Sequence, residues 1–153
     1  MNCPCQSDQL YCQCCEPLHQ GAAAPDAEAL MRSRYCAYVL GNIDYLVATT
    51  VPVQQPLLDT AAMQEWSTNA EWEGLQVWEH QAAIGKRHAR VCFTARFREQ
   101  GQSCEHREHS AFVNIQGRWY FIDPTVPLPA AREDCICGSR RNFKSCCGGV
   151  LTA

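Results

Sequence analysis

Eight of the twelve cysteines fall into two short runs, "CPCQSDQLYCQCC" at residues 3–15 and "CICGSRRNFKSCC" at residues 135–147. Each run is a C-x-C pair, eight residues, then an adjacent C-C pair. Cys3, Cys5, Cys14 and Cys15 therefore repeat as Cys135, Cys137, Cys146 and Cys147. Thiols gathered this way can form disulfides, exchange electrons or hold a metal. Adjacent cysteines have Cα atoms about 3.8 Å apart, whereas disulfides usually span roughly 4.4–6.8 Å. Neither C-C pair can close on itself without distorting its peptide. Bonds between the halves of a cluster stay open, but four sulfurs so close suit one tetrahedral ion better. Zinc takes four thiolates at about 2.3 Å in closed structural sites, and its binding free energy folds a loop that could not fold alone. Four thiolates also serve iron, although no iron–sulfur spacing is present. Cysteine-rich tails without metal are the plainer alternative, one that leaves the repeated spacing to chance.

Composition narrows the setting. A cysteine share of this size suggests a disulfide scaffold in a short secreted chain. However, "MNCPCQSDQL" has no basic flank, apolar run or small-residue cleavage site and does not read as a signal peptide. No stretch approaches the length of a transmembrane helix. The expectation is a cytoplasmic protein, free of membrane, whose reduced cysteines bind metal or react. With 153 residues and 46% hydrophobic content, the chain holds one ordinary domain or a smaller one with appendages. The formal charge of −3 would fall to −7 with two four-thiolate zinc sites, each adding −2, so DNA is not an expected partner.

Between the clusters, the residue pattern predicts helices first and strands afterwards. Asp26 is placed to cap a helix that ends at Gly41, with Leu30, Met31, Tyr35, Tyr38 and Val39 on one face. "IDYLVATT" reads as a second helix stopped by Pro52, and "QPLLDTAAMQEWSTNA" as a third with Leu58, Ala61, Ala62 and Trp66 inward. From Trp72 the period becomes two. "LQVWEHQAAI" and "RHARVCFTARFRE" alternate, the second with Ala89, Val91, Phe93, Ala95 and Phe97 on one face. His88, Arg90, Cys92, Thr94, Arg96 and Arg98 occupy the other, expected to be solvated or a partner surface. "AFVNI" and "RWYFID" flank a Gln116-Gly117 hairpin turn, and Pro124, Pro127 and Pro129 end the last strand. The expected class is α+β, helices packed on one face of an antiparallel sheet.

The C-terminal run resembles the SEC-C motif, the short zinc-binding finger also found at the tail of the SecA translocase. Cys135, Cys137, Gly138, Ser139, Cys146 and Cys147 match it, with Cys147 where that tail has His. The N-terminal copy keeps Ser7 but has Gln6 in place of Gly, and an extra Cys12. Together with "ALMRSRYCAYVLGNIDYL", the two fingers make nearly the whole chain similar to the YchJ family. That resemblance implies a nuclear-transport-factor-2-like cone at residues 25–128 between SEC-C fingers at 1–21 and 130–150, and two zinc ions per chain.

The resemblance to the SecA tail implies a non-catalytic adaptor whose finger docks on a protein partner or the ribosome. Charge favours the C-terminal finger. Residues 1–21 hold Asp8 and Glu16 and no Lys or Arg, which with zinc gives about −4. Residues 135–147 hold Arg140, Arg141 and Lys144, giving about +1, beside Phe143. A second reading makes the cone a small-molecule binder or enzyme, with His80, Arg96, Arg98, His106, His109 and Asp123 as candidates. No Asp–His pairing or nucleophile motif is legible, so no catalytic residue is assigned. A third reading is thiol redox sensing, with Cys12 as a resolving thiol, Cys104 in the "EQGQSCEH" loop as the reactive one, and Cys36 and Cys92 as inert core. Dimerisation through the sheet is left open.

Overall fold

The computed structural model describes residues 1–151. Two tight turns set the sheet. Gln100 and Gly101 have φ of 51° and 78°, and Gln116 and Gly117 have 52° and 87°, the paired positive φ that two-residue type I′ hairpins require. They join β2 (His88–Glu99) to β3 (Gln102–Ile115) and β3 to β4 (Arg118–Ile122). With β1 (Glu71–Ile84) the strands form an antiparallel sheet in the order β1-β2-β3-β4.

The "EQGQSCEH" segment, expected as a loop, is the first hairpin turn and the start of β3. Its residues are polar because this end of the strand is open to solvent. Cys104 therefore sits half-buried on a strand. In β1 the expected clean alternation is broken by register shifts, one of them between Val77 and Glu79. That irregularity leaves Trp78 out of register and sets His80 opposite Val91, on the inner face.

The helices are α1 (Cys15–His19), α2 (Ala27–Leu40), α3 (Ile43–Ala48), α4 (Thr60–Asn69) and α5 (Cys147–Leu151). α2 begins where Asp26 accepts from the Ala29 amide at 2.8 Å and ends at Gly41 with φ 75°. It buries Leu30, Met31 and Tyr35 against Ala89, Val91, Ala95 and Phe112 of the sheet's inner face. α4 is shorter than expected: Pro52–Leu57 form a separate 3-10 helix, and Asp59 caps the new start. Ala61 and Ala62 are exposed rather than inward, because α4 packs edge-on through Trp66 and Ser67. The segment after α3 joins β4, with Val51 N–H donating to Phe121 O at 3.0 Å.

The outer face of the sheet is where expectation and structure part most. His88, Cys92 and Thr94 are buried, and only Arg96 and Arg98 of that set are exposed. The C-terminal finger folds back over Ala111, Val113 and Ile122 to make a second apolar cluster.

Candidate metal centres

The two cysteine runs fold alike, position by position. Cys3 N–H donates to Gln9 O at 2.8 Å, as Cys135 N–H donates to Arg141 O at 2.9 Å. Asn2 pairs with Leu10 as Asp134 pairs with Asn142. Each finger then makes one 3-10 turn, Tyr11–Gln13 or Phe143–Ser145, and starts a short helix at the last cysteine of its run. The left-handed positions match too, Gln6 and Asp8 against Gly138 and Arg140. Ser7 and Ser139, the one side chain between the pairs that both copies keep, contact Cys14 at 3.1 Å and Cys146 at 3.3 Å.

This frame brings Cys3, Cys5, Cys14 and Cys15 together, and likewise Cys135, Cys137, Cys146 and Cys147, with all four sulfurs of each set within 4.8 Å of one another. The Cys5–Cys14 sulfurs are 3.6 Å apart, Cys14–Cys15 3.8 Å and Cys137–Cys146 3.5 Å. Four thiolates at about 2.3 Å from a central ion would stand about 3.8 Å apart, so either group can hold a metal ion.

Without a cation the four thiols cannot ionise together. A hydrogen bond from Cys15 pulls Cys5 down to about 4, and one from Cys147 does the same for Cys135. The donors move up, Cys15 through its contacts with Cys36 and Cys5, and Cys147 through that with Cys135. Burial pushes Cys3 up to about 12 and raises Cys146. A bound divalent ion displaces these protons.

The surroundings of the two clusters differ. At the N-terminal one, Arg32 donates to the Cys5 carbonyl at 2.9 Å, and Cys36 of α2 lies beside Cys15 and Cys3. Cys36 is therefore a neighbour of the cluster as well as core. His19 donates from Nε2 to Ser33 O at 2.8 Å and accepts from Tyr11 Oη at 2.7 Å, pinning the finger to α2. Gln6 explains its own departure from the motif: its amide accepts from Leu75 N–H at 3.2 Å and donates to Glu73 O at 3.4 Å, tying the finger to β1. At the C-terminal cluster the sheet touches the sulfurs themselves. His88 Nε2 is 3.3 Å from Cys147 Sγ and 4.0 Å from Cys146 Sγ, and Arg87 donates to Cys137 Sγ at 3.5 Å. Burial lowers the His88 pKa, and toward a thiolate Nε2 must be its N–H side. Arg90 adds a hydrogen bond to Val150 O.

Of the remaining candidates, Cys12 is exposed and outside the N-terminal group. Cys92 is buried and contacts His109 Nδ1 at 2.9 Å. Arg140, Arg141 and Lys144 are exposed, but Phe143 is buried and its ring lies over Gly148, so it serves the finger's own interior. His80 faces Glu28 at 3.7 Å, His109 packs on Trp78 on the outer face, and Asp123 accepts from Thr125. His109 meets only Cys92 among the candidates, and Asp123 lines a space that His106 also lines.

His106 does converge with residues that went unremarked in the sequence. Its Nε2 is 2.8 Å from Glu108 Oε2, and both line a cavity with Arg34 between α2, α4 and the inner sheet face. The Glu108 hydrogen bond raises the His106 pKa. Burial alone would raise Glu108, but hydrogen bonds from His106 and Ser110 and the Arg34 charge bring it below the usual carboxylate value.

The chain is similar to known proteins over most of its length. A family model for the middle NTF2-like domain of YchJ matches residues 26–124. A UPF0225 protein of Actinobacillus succinogenes is 52% identical over 150 residues, 97% of each chain. One of Haemophilus influenzae is 52% identical over 153 residues, 98% of this chain and 93% of its own. A SEC-C motif containing protein from Psychrobacter arcticus superposes with a TM-score of 0.90 at 42% identity, over 96% of this chain and 95% of its own. Another, from Rhodopseudomonas palustris, gives 0.73 at 39% identity, over 80% of this chain and 96% of its own. With a cysteine finger at each end of an NTF2-like cone, the chain belongs to the YchJ family of SEC-C motif-containing proteins.

Proposed function

We propose that the protein is a zinc-binding, non-catalytic accessory protein whose C-terminal finger docks on an acidic protein surface, such as one carried by the ribosome. The observation behind the metal is the pair of four-sulfur groups, each drawn within 4.8 Å. Zinc, when bound, supplies a closed structural cross-link. Zinc is favoured over iron because the finger pattern is that of SEC-C motifs and lacks iron–sulfur spacing.

The docking surface follows from charge. Arg140, Arg141 and Lys144 project from one rigid finger, and none is within ion-pairing distance of a carboxylate among the described residues. Three unpaired cations on a fixed frame suit a complementary acidic patch, where charge sets encounter rate and register. The test uses the full-length zinc-loaded chain as bait, with ribosome co-sedimentation alongside. An Arg140→Gln, Arg141→Gln, Lys144→Gln variant should keep its zinc and lose its partner. Unchanged recovery by that variant would defeat the docking reading.

A further inference from the structure

The cone encloses a cavity of about 100 Å³, walled by Met31, Tyr35, Trp72, Phe93, Ala95 and Phe112. It continues into a wider vestibule of about 570 Å³ whose rim includes Leu57, Leu58, Met63 and Pro127. Arg34, Tyr38, Trp66, His106, Glu108 and Phe121 line both spaces, so the charged groups stand at the throat between them.

The hydrogen bonds at the throat are unevenly satisfied. Arg34 uses Nη1 alone, donating to Leu46 O at 2.9 Å, Thr49 Oγ1 at 2.6 Å and Thr50 Oγ1 at 3.5 Å. Its guanidinium stacks on the Phe121 ring at 4.4 Å. Among the described residues no acceptor meets its Nε or Nη2, and no carboxylate lies within ion-pairing distance. Glu108, by contrast, is already held by His106 and Ser110. The unused capacity at this throat is thus donor capacity on a cation, two adjacent nitrogens in the fork that fits a carboxylate side by side. Behind it lies a chamber with aromatic walls, about 100 Å³ against the roughly 150 Å³ of a dry apolar cavity that accommodates benzene, so a ring seated there extends into the throat.

We propose that the cone binds a small aromatic carboxylate, its ring in the inner chamber and its carboxylate on the free edge of Arg34. The site is independent of the fingers and of any metal in them. The vestibule leaves room for a substituent reaching outward.

The test uses the full-length protein and sodium phenylacetate, followed through the indole NMR signals of its four tryptophans. Neutral phenylacetamide and cationic benzylamine are the comparators. Phenylacetate should shift the Trp66 and Trp72 signals saturably, leave Trp78 unmoved, and bind at least about tenfold tighter than the amide, as expected for a charge-assisted hydrogen-bonded pair. Arg34→Lys, which keeps the charge but loses the fork, should erase that advantage. Because Arg34 also ties α2 to α3, Ala95→Leu serves as a second variant that narrows the chamber and should weaken all binding. Unmoved Trp66 and Trp72 signals, equal binding of acid and amide, or tightest binding of benzylamine would each overturn the proposal.

Discussion

At the N-terminal finger no cation reaches a sulfur among the described residues: Arg32 meets the Cys5 carbonyl, and the thiol of Cys36 lies beside Cys15 and Cys3. At the C-terminal finger Arg87 and His88 contact the sulfurs directly, from a turn and strand about fifty to sixty residues away in sequence. The spacing and backbone are the same in both, so the cage is a local property of thirteen residues. Its electrostatic surroundings belong to the site where each finger lands. A four-thiolate zinc site carries −2 and its fully protonated form carries none, so a neighbouring donor or cation favours the metal-bound state. Each site has its own serine for this, and the C-terminal site adds Arg87 and His88 from the sheet.

The difference can be broken from the C-terminal side. His88→Leu removes the buried donor at Cys147 and should weaken that finger's metal by about 10–100-fold, as loss of a ligand's supporting contact does. The N-terminal metal should stay put. Chelator competition on the full chain, with release monitored from each finger in turn, would read this. Equal weakening at both sites would remove the distinction.

A second contrast lies at the start of the helices. Gly148 occupies the place held by Glu16 in the N-terminal finger. A Cβ there would meet Phe143 O at 2.7 Å and the Phe143 ring at 2.8 Å, whereas Tyr11 in the other finger has turned its ring toward His19. Gly148→Ala should therefore cost about 1–2 kcal/mol by overpacking, measured by urea unfolding. Glu16→Ala should cost little.

The third contrast is smaller. Gln6 holds φ 64° where the C-terminal finger has Gly138, and recovers the cost by hydrogen bonds to β1. Gln6→Ala keeps the strain and loses the bonds, at about 1 kcal/mol. Gln6→Gly loses the same bonds but relieves the strain, so it should be the milder change. The reverse order would show that the left-handed φ at residue 6 carries no strain worth relieving, and parental stability in both would show that the tie to β1 contributes nothing.

A fourth effect, the smallest, must be subtracted before any pH response is credited to a finger. His106 titrates above its ordinary 6.5, so its pairing contribution is complete below 6.5 and fades as pH rises through the raised value. Glu108 titrates below its ordinary 4.5, so its contribution is complete above 4.5 and fades as pH falls through the lowered value. The pair therefore supports the cone most between about pH 4.5 and 6.5, and His106→Gln should lower urea midpoints within that range and flatten their decline above it. An unchanged profile would mean the pair is silent.

The cysteine cages were legible because every ligand of each lies within thirteen residues, and so were α2, with its Asp26 cap and Gly41 stop, and the Gln116-Gly117 turn. What escaped was set by distant chain. His88 reads as an outward strand residue until a finger some fifty residues later covers it. Arg34 is one arginine among apolar helix positions, and nothing near it announces that β3 will bring His106 and Glu108 to the same throat. The irregularity in β1 follows from pairing with β2, which alternation within β1 cannot show. The "EQGQSCEH" segment reads as loop because both of its faces carry polar side chains, and the inner one meets its cover only where α4 brings Trp66 onto His106.

Two independent zinc centres are the centre of this account, and metal content tests them most directly. Elemental analysis of freshly purified full-length protein, beside its Cys14→Ser and Cys146→Ser variants, should find two zinc ions per chain in the parent and about one in each variant, matching the two four-cysteine groups. A parent chain without zinc whose eight clustered thiols titrate as free would contradict it.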